Sequence, residues 1–462
     1  MRLRTITLFV LTVLVTVVSY ASFASTAQPV AIFHAFNQKY PEVEKSVCTL
    51  ADQGYSHVQI SPAQASNPNT AWWARYQPVD YSKIDGLGTK NDLAKLIQTA
   101  HRCNIKVIAD VVFNHMANLD NGEDAEDLTK FPNLTPKDFH QIPGNPSRRP
   151  CEINYHDGNR STELNCWLGG LPDLDQASPN VRKIQKAHLK LLMDLGIDGF
   201  RFDAAKHIPE QYVKEYVDYI NDYSKGNDWN YLEVIEDSDT RAEDYNQIAA
   251  VTDFLLYNSM KEAFSFGGDL RSLRVPKAVA DPRSITFGRN HDTIRDLNPQ
   301  FALNPYDDPS DSYFATAYVL ARQSGTPLIF NRDNADVAFI RAGVKFRQIM
   351  TQRGREGRNV KDTVLAVVDS PMVLVMERGA EGFFVVNKAK EKLDVPTIDL
   401  TLTNLEGCYR ELRNNFRVTI ERRSDGKKYV TRWGTSARGG IEVQGRDALY
   451  LIREPAQQCQ SN

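Results

Sequence analysis

Short hydrophobic runs that end in polar residues recur along this chain of 462 residues. The clearest four are DVVFNH (Asp110 to His115), GFRFDAAKH with Asp203, YLEVIED with Glu233, and FGRNHD with Asp292. Each contains the β-branched or aromatic residues of a buried strand and carries an acid or a histidine where that strand would end. Since the active sites of parallel barrels are assembled at the C-terminal ends of their strands, this pattern favours a parallel barrel.

Helix-like segments separate the strand-like runs along most of the chain. Examples are LAKLIQTAHRC, VRKIQKAHLKLLMDLG and PEQYVKEYVDYI. The strand-like runs are VAIFHAF, HVQIS, KVIADVVFNH, GFRFDA, YLEVIED, VTDFLLY, SITFGRNHD and TPLIF. Eight strands that alternate with helices predict an α/β fold, a (β/α)8 TIM barrel.

Two regions depart from this alternation. Residues 116–173 are rich in Asn, Pro and Gly and have no clear periodicity, which predicts a small domain inserted after the third strand. From residue 362 onwards, runs such as TVLAVVD, MVLVMER and GFFVVNK are split by turn signals, which predicts a C-terminal antiparallel β-sandwich. The barrel is therefore expected over residues 25–115 and 174–361, the inserted domain over 116–173 and the β-sandwich over 362–462.

The N-terminus has the features of a secretory signal peptide. Arg2 and Arg4 precede an apolar stretch at residues 6–18, and small residues precede an expected cut after Ala24. A membrane anchor is the alternative, but thirteen mostly apolar residues are fewer than the ~20 that span a bilayer. Residues 1–24 are therefore predicted to be removed, leaving a secreted protein without membrane contact.

Composition excludes some classes of partner. Hydrophobic residues make up 42% of the chain and charged residues 24%, as in ordinary globular proteins, and the formal net charge is −3. A chain without a basic footprint is not expected to bind nucleic acid or anionic membranes. Neutral polymers fit this charge better.

The six cysteines predict disulfides, because disulfides persist outside the cytoplasm. Six cysteines allow 15 pairings, and their spacing alone does not choose among them. Neither a CxxC motif nor a Cys/His spacing typical of zinc occurs in the sequence. A structural role is favoured over a catalytic one.

Acids delivered from the ends of several strands suit one kind of chemistry. Hydrolysis of a glycosidic bond uses one carboxylate to attack or stabilise the sugar cation and a second acid to protonate the leaving oxygen. Asp203, Glu233 and Asp292 are the candidates for these roles.

The four motifs also carry a resemblance to a known family. DVVFNH, GFRFDAAKH, EVIE and FGRNHD, in this order, resemble the four signature segments of the α-amylase family of glycoside hydrolases. VQISPAQ and WWARYQPVDY resemble the subgroup that contains animal and related bacterial α-amylases. The resemblance covers essentially the whole mature chain. It implies retaining hydrolysis of α-1,4-glucosidic bonds in starch, glycogen and maltooligosaccharides.

By this resemblance, Asp203 matches the nucleophile, Glu233 the general acid and Asp292 the third acid, which binds sugar hydroxyls. Arg201 lies two residues before Asp203, hence on the same strand face, where a cation favours the ionised nucleophile. A lone Asp after a strand more often caps the next helix. Strand alternation would place Glu236, the rival acid, on the face opposite to Glu233.

Further residues match substrate-binding positions of the family. Aromatic faces stack on sugar rings, and histidines at strand ends donate hydrogen bonds to hydroxyls. Either Trp72 or Trp73 could equally belong to the core, but two adjacent tryptophans on a loop are not easily both buried. The expected substrate-binding set is Trp72, Trp73, Tyr76, Gln77, His115, Arg201, Lys206, His207 and His291.

A calcium site is also implied by the resemblance. Asn114, Asp173 and His207 match ligand positions, with His207 contributing its backbone carbonyl, and a further backbone ligand is expected near Leu164. Oxygen ligands from separate loops suit Ca²⁺. Asn114 in a hydrogen-bonded turn is the simpler alternative.

Disulfide pairing follows from the resemblance as well: Cys48–Cys103, Cys151–Cys166 and Cys408–Cys459.

Chloride is not expected. Animal-type enzymes hold an activating chloride through an Arg, an Asn and a basic residue, which align with Arg201, Asn290 and Leu328. Leu328 cannot bind an anion, and Arg332 is about 13 Å further along a continuing strand. We expect Arg201 to pair with carboxylates such as Asp110 instead.

Three functions remain open at this point. The first is a secreted, endo-acting α-amylase that acts on α-glucan as a monomer. The second is a glucan transferase or a maltooligosaccharide-forming amylase on the same scaffold, which the lack of an extra starch-binding module disfavours. The third is a catalytically silent carbohydrate-binding protein, which the presence of all three acids disfavours.

Overall fold

A computed structural model describes residues 28–119, 122, 124–155, 158–280, 283–297, 302–435 and 439–460 of the chain. The expected signal peptide, residues 1–24, lies outside these ranges. Before residue 362 the described strands are β1 (Ile32–Ala35), β2 (His57–Ile60), β3 (Gln64–Ser66), β4 (Pro78–Ile84), β5 (Lys106–Val112), β6 (Gly199–Asp203), β7 (Tyr231–Leu232), β8 (Ala250–Thr252), β9 (Ser284–Thr286) and β10 (Thr326–Phe330).

The described α-helices alternate with these strands and mostly follow the predicted segments. They are α1 (Tyr40–Gln53), α2 (Lys90–Arg102), α3 (Arg160–Asn165), α4 (Pro179–Leu195), α5 (Glu210–Ser224), α6 (Ala242–Asn246), α7 (Phe254–Phe264), α8 (Asp311–Ala321), α9 (Asn331–Asp336), α10 (Ala338–Arg355) and, at the end of the chain, α11 (Gln457–Gln460). Across the described ranges, none of them combines the length and the hydrophobicity that crossing a bilayer requires.

Eight of the strands close into a parallel barrel. Their order around the barrel is β1, β2, β5, β6, β7, β8, β9 and β10, and β10 pairs with β1 to complete it. Ile32 of β1, for example, is level with His57 of β2 on one side and with Leu328 of β10 on the other. The strands β3 and β4 pair separately as an antiparallel ribbon after β2. The predicted (β/α)8 barrel is therefore confirmed.

Local sequence explains where the helices that cover the barrel begin and end. Helix α2 begins at a capping box in which the Thr89 side chain accepts from the Asp92 amide and the Asp92 carboxylate accepts from the Thr89 amide. Helix α4 begins with Ser178 as its cap and Pro179 in its first turn. It ends at Gly196, whose φ of 100° favours glycine.

The region between β5 and α4 is the irregular insertion that the sequence predicts after the third barrel strand. It contains the short helix α3 and isolated bridges that join His115 to Asp173 and Phe139 to Leu174. Phe139 and Trp167 are buried and belong to the same hydrophobic cluster as the barrel core. The insertion is thus seated on the barrel beside the end of β5.

The C-terminal region is built from antiparallel strands. They are β11 (Asp362–Val364), β12 (Val373–Arg378), β13 (Gly382–Asn387), β14 (Leu393–Val395), β15 (Gly407–Glu411), β16 (Arg417–Arg422), β17 (Lys428–Trp433), β18 (Ile441–Val443) and β19 (Asp447–Glu454). Seven of them form one sheet in the order β11, β12, β13, β19, β15, β16 and β17, and β14 pairs with β18 in a second, two-stranded sheet.

Both faces of the seven-stranded sheet are buried. On one face Val373 and Val375 share a hydrophobic cluster with Ile441 of the small sheet, so the two sheets pack as an unequal sandwich. On the other face Leu374 belongs to the barrel's cluster. The predicted sandwich is confirmed, and its larger sheet also packs directly against the barrel helices.

The contact between the C-terminal sheet and the barrel is close. The Tyr450 hydroxyl donates to the Ala317 carbonyl at 2.9 Å. A β-carbon at Gly343 of α10 would lie 2.4 Å from that hydroxyl oxygen, so the approach of the sheet requires glycine at this position.

All six cysteines are paired, as Cys48–Cys103, Cys151–Cys166 and Cys408–Cys459, which is the pairing that the resemblance implies. The first bridge joins α1 to the end of α2 and closes a loop of 55 residues. The second lies within the insertion, and the third attaches the C-terminal helix α11 to β15.

The Cys48–Cys103 bridge should contribute substantially to stability. In a chain-entropy picture, closing a loop of 55 residues stabilises the folded state by about 4 kcal/mol. We expect the double variant Cys48→Ser/Cys103→Ser to lose most of this free energy of unfolding, measured by urea denaturation monitored by circular dichroism. The double variant Cys408→Ser/Cys459→Ser is the control for removal of a disulfide elsewhere. An unchanged urea midpoint for the first variant would contradict this prediction.

Candidate active site

A cavity of about 500 Å³ opens at the C-terminal ends of the barrel strands. Asp203 is the last residue of β6, Glu233 follows the last residue of β7, and Asp292 lies in a short 3-10 helix after β9. The barrel brings all three into the lining of this cavity, although they are far apart in sequence. It also brings there most of the expected substrate-binding side chains: Trp72, Trp73, Tyr76, Gln77, His115, Lys206, His207 and His291.

Arg201 lies beneath the acids and connects them. Its Nη1 is 2.7 Å from Asp110 Oδ2 and 2.9 Å from Asp203 Oδ1, and its Nη2 is 2.7 Å from Glu233 Oε1. The parallel register explains the first contact, because Asp110 of β5 is level with Arg201 of β6. The Tyr76 hydroxyl donates to Asp110 Oδ2 at 3.0 Å.

The sequence predicts that Arg201 contacts the substrate, but the structure does not place it where it could do so. Arg201 is 3% exposed and does not line the cavity, and its guanidinium group is occupied by carboxylates. The expected pairing with Asp110 is present. Arg201 therefore acts on the carboxyl groups that line the cavity.

Burial controls the protonation of the acidic cluster. It raises the pKa of Asp203 and of Asp292 well above the ordinary value, with Arg201 opposing, and it raises the pKa of Asp110 to about 6. The cation does favour the ionised form of Asp203, as the sequence suggests, but burial outweighs it. Asp110, Asp203 and Asp292 thus hold their protons more tightly than free carboxyl groups do, and Arg201 limits this effect.

The backbone conformation at Ala204 directs its amide toward Glu233. Ala204 has a φ of 47°, in the left-handed region, and its amide donates to Glu233 Oε2 at 2.8 Å. A residue with a β-carbon pays about 1 kcal/mol for this conformation. The strained turn directly after Asp203 therefore holds the Glu233 carboxyl group.

Glu236 does not lie where strand alternation predicts. Strand β7 ends at Leu232, so the period of two no longer applies to the residues that follow. Glu236 lines the same cavity as Glu233. Its Oε1 accepts from the Ala242 amide at 3.1 Å, which ties it to the start of α6 rather than to the acidic cluster.

Aromatic rings and neutral histidines form one wall of the cavity. The His291 ring stacks on Tyr76 at a centroid distance of 5.1 Å and on Phe36 at 4.7 Å, and Trp72 meets it edge-on at 5.7 Å. Trp72 is half-buried and its Nε1 donates to the Leu297 carbonyl, whereas Trp73 is 40% exposed. Trp72 is therefore partly a core residue, whereas Trp73 has a solvent-exposed face that is available for substrate.

The three histidines of the cavity are uncharged at neutral pH. Burial lowers the pKa of His115 to about 4 and that of His207 to about 3, and it lowers the pKa of His291 well below the ordinary value. A neutral imidazole can both donate and accept, which suits sugar hydroxyls.

Lys206 is held on the side of the cavity next to Glu233. Its ammonium group is paired with Asp237, donates to the Ile235 carbonyl at 3.1 Å and lies 4.6 Å from the Tyr155 ring centroid. Asp237 is itself fixed by the Thr240 amide at 2.9 Å. Tyr155 belongs to the insertion and Asp237 to the segment after β7, so Lys206 joins these two parts of the cavity wall.

The expected calcium ligands lie together where the insertion meets the barrel. Asn114 Oδ1 and Asp173 Oδ1 are buried and have no hydrogen-bond partner. Burial raises the pKa of Asp173 to about 7 although His140 Nδ1 is 2.6 Å from its other oxygen. Two buried, unpartnered oxygens on adjacent chain segments fit an oxygen-ligated cation.

The imidazole of His207 is already bound, since its Nδ1 lies 2.9 Å from the Glu163 carbonyl, and this agrees with a ligand role for its backbone only. Among the described residues, three or more His, Cys, Asp or Glu side chains do not cluster as a metal site. The expected set contains only one carboxylate, Asp173, and depends on amide and backbone oxygens.

The surroundings of Leu328 and Asn290 are relevant to the expectation that chloride does not bind. Leu328 is buried within β10, and Arg332 lies on the exposed side of α9 with its guanidinium 6.0 Å from the Phe330 ring centroid. The Asn290 side chain accepts from the Asp292 and Thr293 amides, both at 3.1 Å. The expectation that chloride does not bind stays a prediction.

Several residues of the cavity are not indicated by the sequence. Tyr155 comes from the insertion and Leu303 from the long connection after β9, and neither region has periodicity or a strand end to mark it. Asp237 closes the YLEVIED run, so its position next to a strand end is a signal that could have identified it. The other unpredicted lining residues are Leu168, Leu171, Ala204, Ile235 and Glu236.

Comparison with known proteins agrees with the geometry of this site. Residues 48–263 match the family described as alpha amylase, catalytic domain. An α-amylase from Aeromonas hydrophila is 30% identical over 407 residues, which are 77% of this chain and 84% of that protein. An α-amylase-related protein from Drosophila pseudoobscura pseudoobscura is 30% identical over 64% of this chain and 62% of its own length.

Solved structures share the fold. A variant of α-amylase I from Eisenia fetida in complex with maltohexaose superposes with a TM-score of 0.73 at 20% identity, covering 94% of this chain and 99% of that one. The cyclomaltodextrin glucanotransferase CldA, which has a three-domain ABC distribution, gives a TM-score of 0.66 at 21% identity over 90% of this chain and 91% of that one. Together with the sequence matches, the barrel and its three acids show that the chain is an enzyme of the α-amylase family of glycoside hydrolases.

Proposed function

We propose that the chain is a secreted, endo-acting α-amylase that hydrolyses α-1,4-glucosidic bonds in starch, glycogen and maltooligosaccharides with retention of anomeric configuration. The observation that carries this proposal is the convergence of Asp203, Glu233 and Asp292 on one cavity with an aromatic wall. Two carboxyl groups bound to the same guanidinium are close together, and short separation favours retention over inversion.

Asp203 acts as the nucleophile in this proposal. Arg201 holds Oδ1 at 2.9 Å, which fixes the carboxylate and leaves Oδ2 to attack the anomeric carbon. The C–O bond to the leaving sugar breaks as the bond from Oδ2 to the anomeric carbon forms, which gives a covalent glycosyl-enzyme. Water then attacks the same carbon and releases Asp203.

Glu233 supplies the proton and later removes one. In the first step its carboxylic acid protonates the glycosidic oxygen of the leaving sugar, and in the second step its carboxylate takes a proton from the attacking water. Asp292 Oδ2 has no hydrogen-bond partner and can accept from sugar hydroxyls.

Calcium is proposed as a structural ion. Asn114 Oδ1, Asp173 Oδ1 and the backbone carbonyl of His207 would hold it, and a bound cation would neutralise the buried Asp173 carboxylate. His207 lies in the turn after Asp203, so the ion would join the insertion to the catalytic segment.

Secretion is proposed from the N-terminal pattern together with the three disulfides, which persist in oxidising compartments. A monomer that acts on α-glucan, without nucleic-acid or membrane partners, remains the expectation.

A glucan transferase is the second candidate. CldA is a glucanotransferase with three domains, so a three-domain arrangement does not favour hydrolysis over transfer. The two activities differ only in whether water or a sugar hydroxyl attacks the glycosyl-enzyme.

Product analysis tests the proposed function. We expect purified protein to release a series of short maltooligosaccharides from soluble starch, with the new reducing ends first in the α-configuration, because double displacement inverts the anomeric carbon twice. Chromatography of the products and NMR during the first minutes measure both. Cyclic or elongated glucans as main products would favour the transferase, initial β-anomer would exclude retention, and the absence of any product would exclude the enzyme.

Substitution of the acids should abolish turnover without unfolding the protein. Asp203→Asn and Glu233→Gln each preserve volume but remove a nucleophile or a transferable proton, so kcat should fall on the order of 10³-fold or more. Glu262→Gln, on the exposed side of α7, is the matched control and should retain activity. Activity within tenfold of the unsubstituted enzyme in either catalytic variant, with unchanged thermal melting, would contradict the assigned roles.

Removal of calcium should lower stability and activity together. EDTA treatment should lower the melting temperature, and excess CaCl2 should restore it, because a ligand that binds only the folded state stabilises it by mass action. Asn114→Ala should require higher calcium for the same melting temperature, whereas Asn221→Ala on α5 should not. Identical melting of the untreated and EDTA-treated protein would show that no such site exists.

A further inference from the structure

A buried ion pair lies close to the third acid in sequence and has no part in the proposed mechanism. Arg289 of the FGRNHD segment is three residues before Asp292, is buried and does not line the catalytic cavity. Its Nε donates to Oδ1 of Asp333 at 2.7 Å, and its Nη2 donates to the same oxygen. Asp333 is fully buried. Because taking two charges out of water is costly, stability alone does not explain a pair at this position.

The pair connects the segment after β9 to two helices. Asp333 belongs to α9, which directly follows β10, and its Oδ2 accepts from Thr316 Oγ1 of α8 at 3.4 Å. The guanidinium carbon of Arg289 lies 4.8 Å from the ring centroid of Tyr313, which is also on α8. A β-carbon at Gly288 would lie 2.2 Å from Thr316 Oγ1, so the backbone itself rests against this helix. The two helices thus determine where residues 288 and 289 lie.

Residues 290–293 transmit this position to Asp292. The Asn290 side chain accepts from the amides of Asp292 and Thr293, both at 3.1 Å, and the Asn290 amide donates to Thr293 Oγ1 at 2.9 Å. These reciprocal bonds form a capping box at the start of the short 3-10 helix that contains Asp292. Arg289 is joined directly to this unit, so a shift of its backbone would move Asp292 as well.

Asp292 depends on its backbone more than the other two acids do. The carboxyl groups of Asp203 and Glu233 are both bound by Arg201. Across the described ranges, by contrast, Asp292 forms no ion pair with an Arg or Lys side chain, and its Oδ2 has no hydrogen-bond partner. Its Oδ1 lies 3.4 Å from Nε2 of the neutral His291. The location of this carboxyl group is therefore determined mainly by the segment that carries it.

We propose that Arg289 and Asp333 are positioning residues that hold the Asp292 carboxyl group where it binds sugar hydroxyls. They act through the backbone of residues 290–292, and neither side chain lines the cavity. The inference rests on the proposed action on α-glucans and adds two residues to that reaction. A misplacement of about 1 Å in a group that stabilises the transition state can lower the rate on the order of 10²-fold.

Loss of either member of the pair should slow the chemical step. Arg289→Met keeps an unbranched side chain without the guanidinium group, and Asp333→Asn keeps the volume without the charge. We expect kcat for maltoheptaose to fall on the order of 10- to 100-fold in each, and kcat/KM by a similar factor, because the lost contact matters in the transition state. Both variants should also melt at a lower temperature, since each removes the opposite charge from a buried group.

A double variant distinguishes positioning from stability. Arg289→Met/Asp333→Leu removes both buried charges, and apolar residues of similar volume often restore the stability that a broken ion pair loses. Apolar contacts do not fix direction as N–H···O bonds to a charged group do. We therefore expect the melting temperature to recover while kcat stays on the order of tenfold or more below that of the unsubstituted protein. Recovery of kcat together with the melting temperature would overturn the inference, because the ion pair would then be structural only.

Coupling to Asp292 is the second test. A residue that acts through another adds little once that other residue is gone, so the two losses should not be additive. Arg289→Met should therefore lower kcat by less than about threefold when it is introduced into Asp292→Asn, measured at high enzyme concentration. An equal fold loss in both backgrounds would show that Arg289 acts elsewhere.

Matched variants serve as controls. Arg289→Lys keeps the charge but not the planar fork, so its kcat should lie between those of Arg289→Met and the unsubstituted protein. If Arg289→Met does not fold, Asp333→Asn carries the same test. Arg413 Nη2 donates to Asp447 Oδ2 at 2.6 Å in the C-terminal sheet, and Arg413→Met should lower the melting temperature without changing kcat.

Steady-state kinetics on maltoheptaose and thermal melting followed by circular dichroism measure these outcomes. If the unsubstituted protein cleaves maltoheptaose and Arg289→Met or Asp333→Asn retains kcat within about twofold, the positioning role alone is overturned. An unsubstituted protein that releases no product would instead overturn the proposed function, so the two failures are distinguishable.

Discussion

The ion pairs of Arg201 organise this enzyme. One buried guanidinium group binds Asp110, Asp203 and Glu233, which come from three neighbouring barrel strands. A buried cation without partners would be strongly destabilising, and so would several buried carboxylates without a cation. The parallel register of the barrel makes this arrangement possible, because it places Asp110 level with Arg201 and places Asp203 one pleat further along, level with Val112. Catalytic function and barrel geometry therefore depend on the same contacts.

The parts outside the barrel act through direct packing. The insertion contributes buried aromatic residues to the barrel core and reaches the cavity through Tyr155, which covers Lys206. The C-terminal sheet buries its second face against α8 and α10, with Tyr450 bonded to the Ala317 carbonyl. Neither part is connected to the barrel only by a linker.

Much of this architecture could be predicted from the sequence, for reasons that differ between regions. Barrel strands are buried on both faces and end in polar residues, so Asp203 and the DVVFNH segment can be recognised from the sequence. The change to short strands after residue 361 can be recognised from the turn signals between them. The position that the sequence predicts for Glu236 is wrong because β7 ends at Leu232. A two-residue strand is too short to show a period of two, so its end cannot be detected from the sequence. The sequence predicts that Arg201 contacts the substrate because strand periodicity shows which face of the strand a side chain is on, but not how deeply the side chain is buried. The positions of Tyr155 and Leu303 could not be predicted, since tertiary contacts determine where long irregular connections lie.

The left-handed turn at Ala204 has a consequence for the evolution of this site. Glycine would adopt a φ of 47° without strain. The alanine at this position therefore leaves some backbone strain directly after Asp203. A β-carbon narrows the range of backbone conformations of the unfolded chain, which offsets part of this strain in the free energy of unfolding. The same torsion angle disfavours β-branched residues, whereas unbranched residues such as Lys225 and Arg446 adopt it elsewhere in the chain. At position 204, the backbone conformation that directs the amide to Glu233 is thus kept at a small cost in local stability.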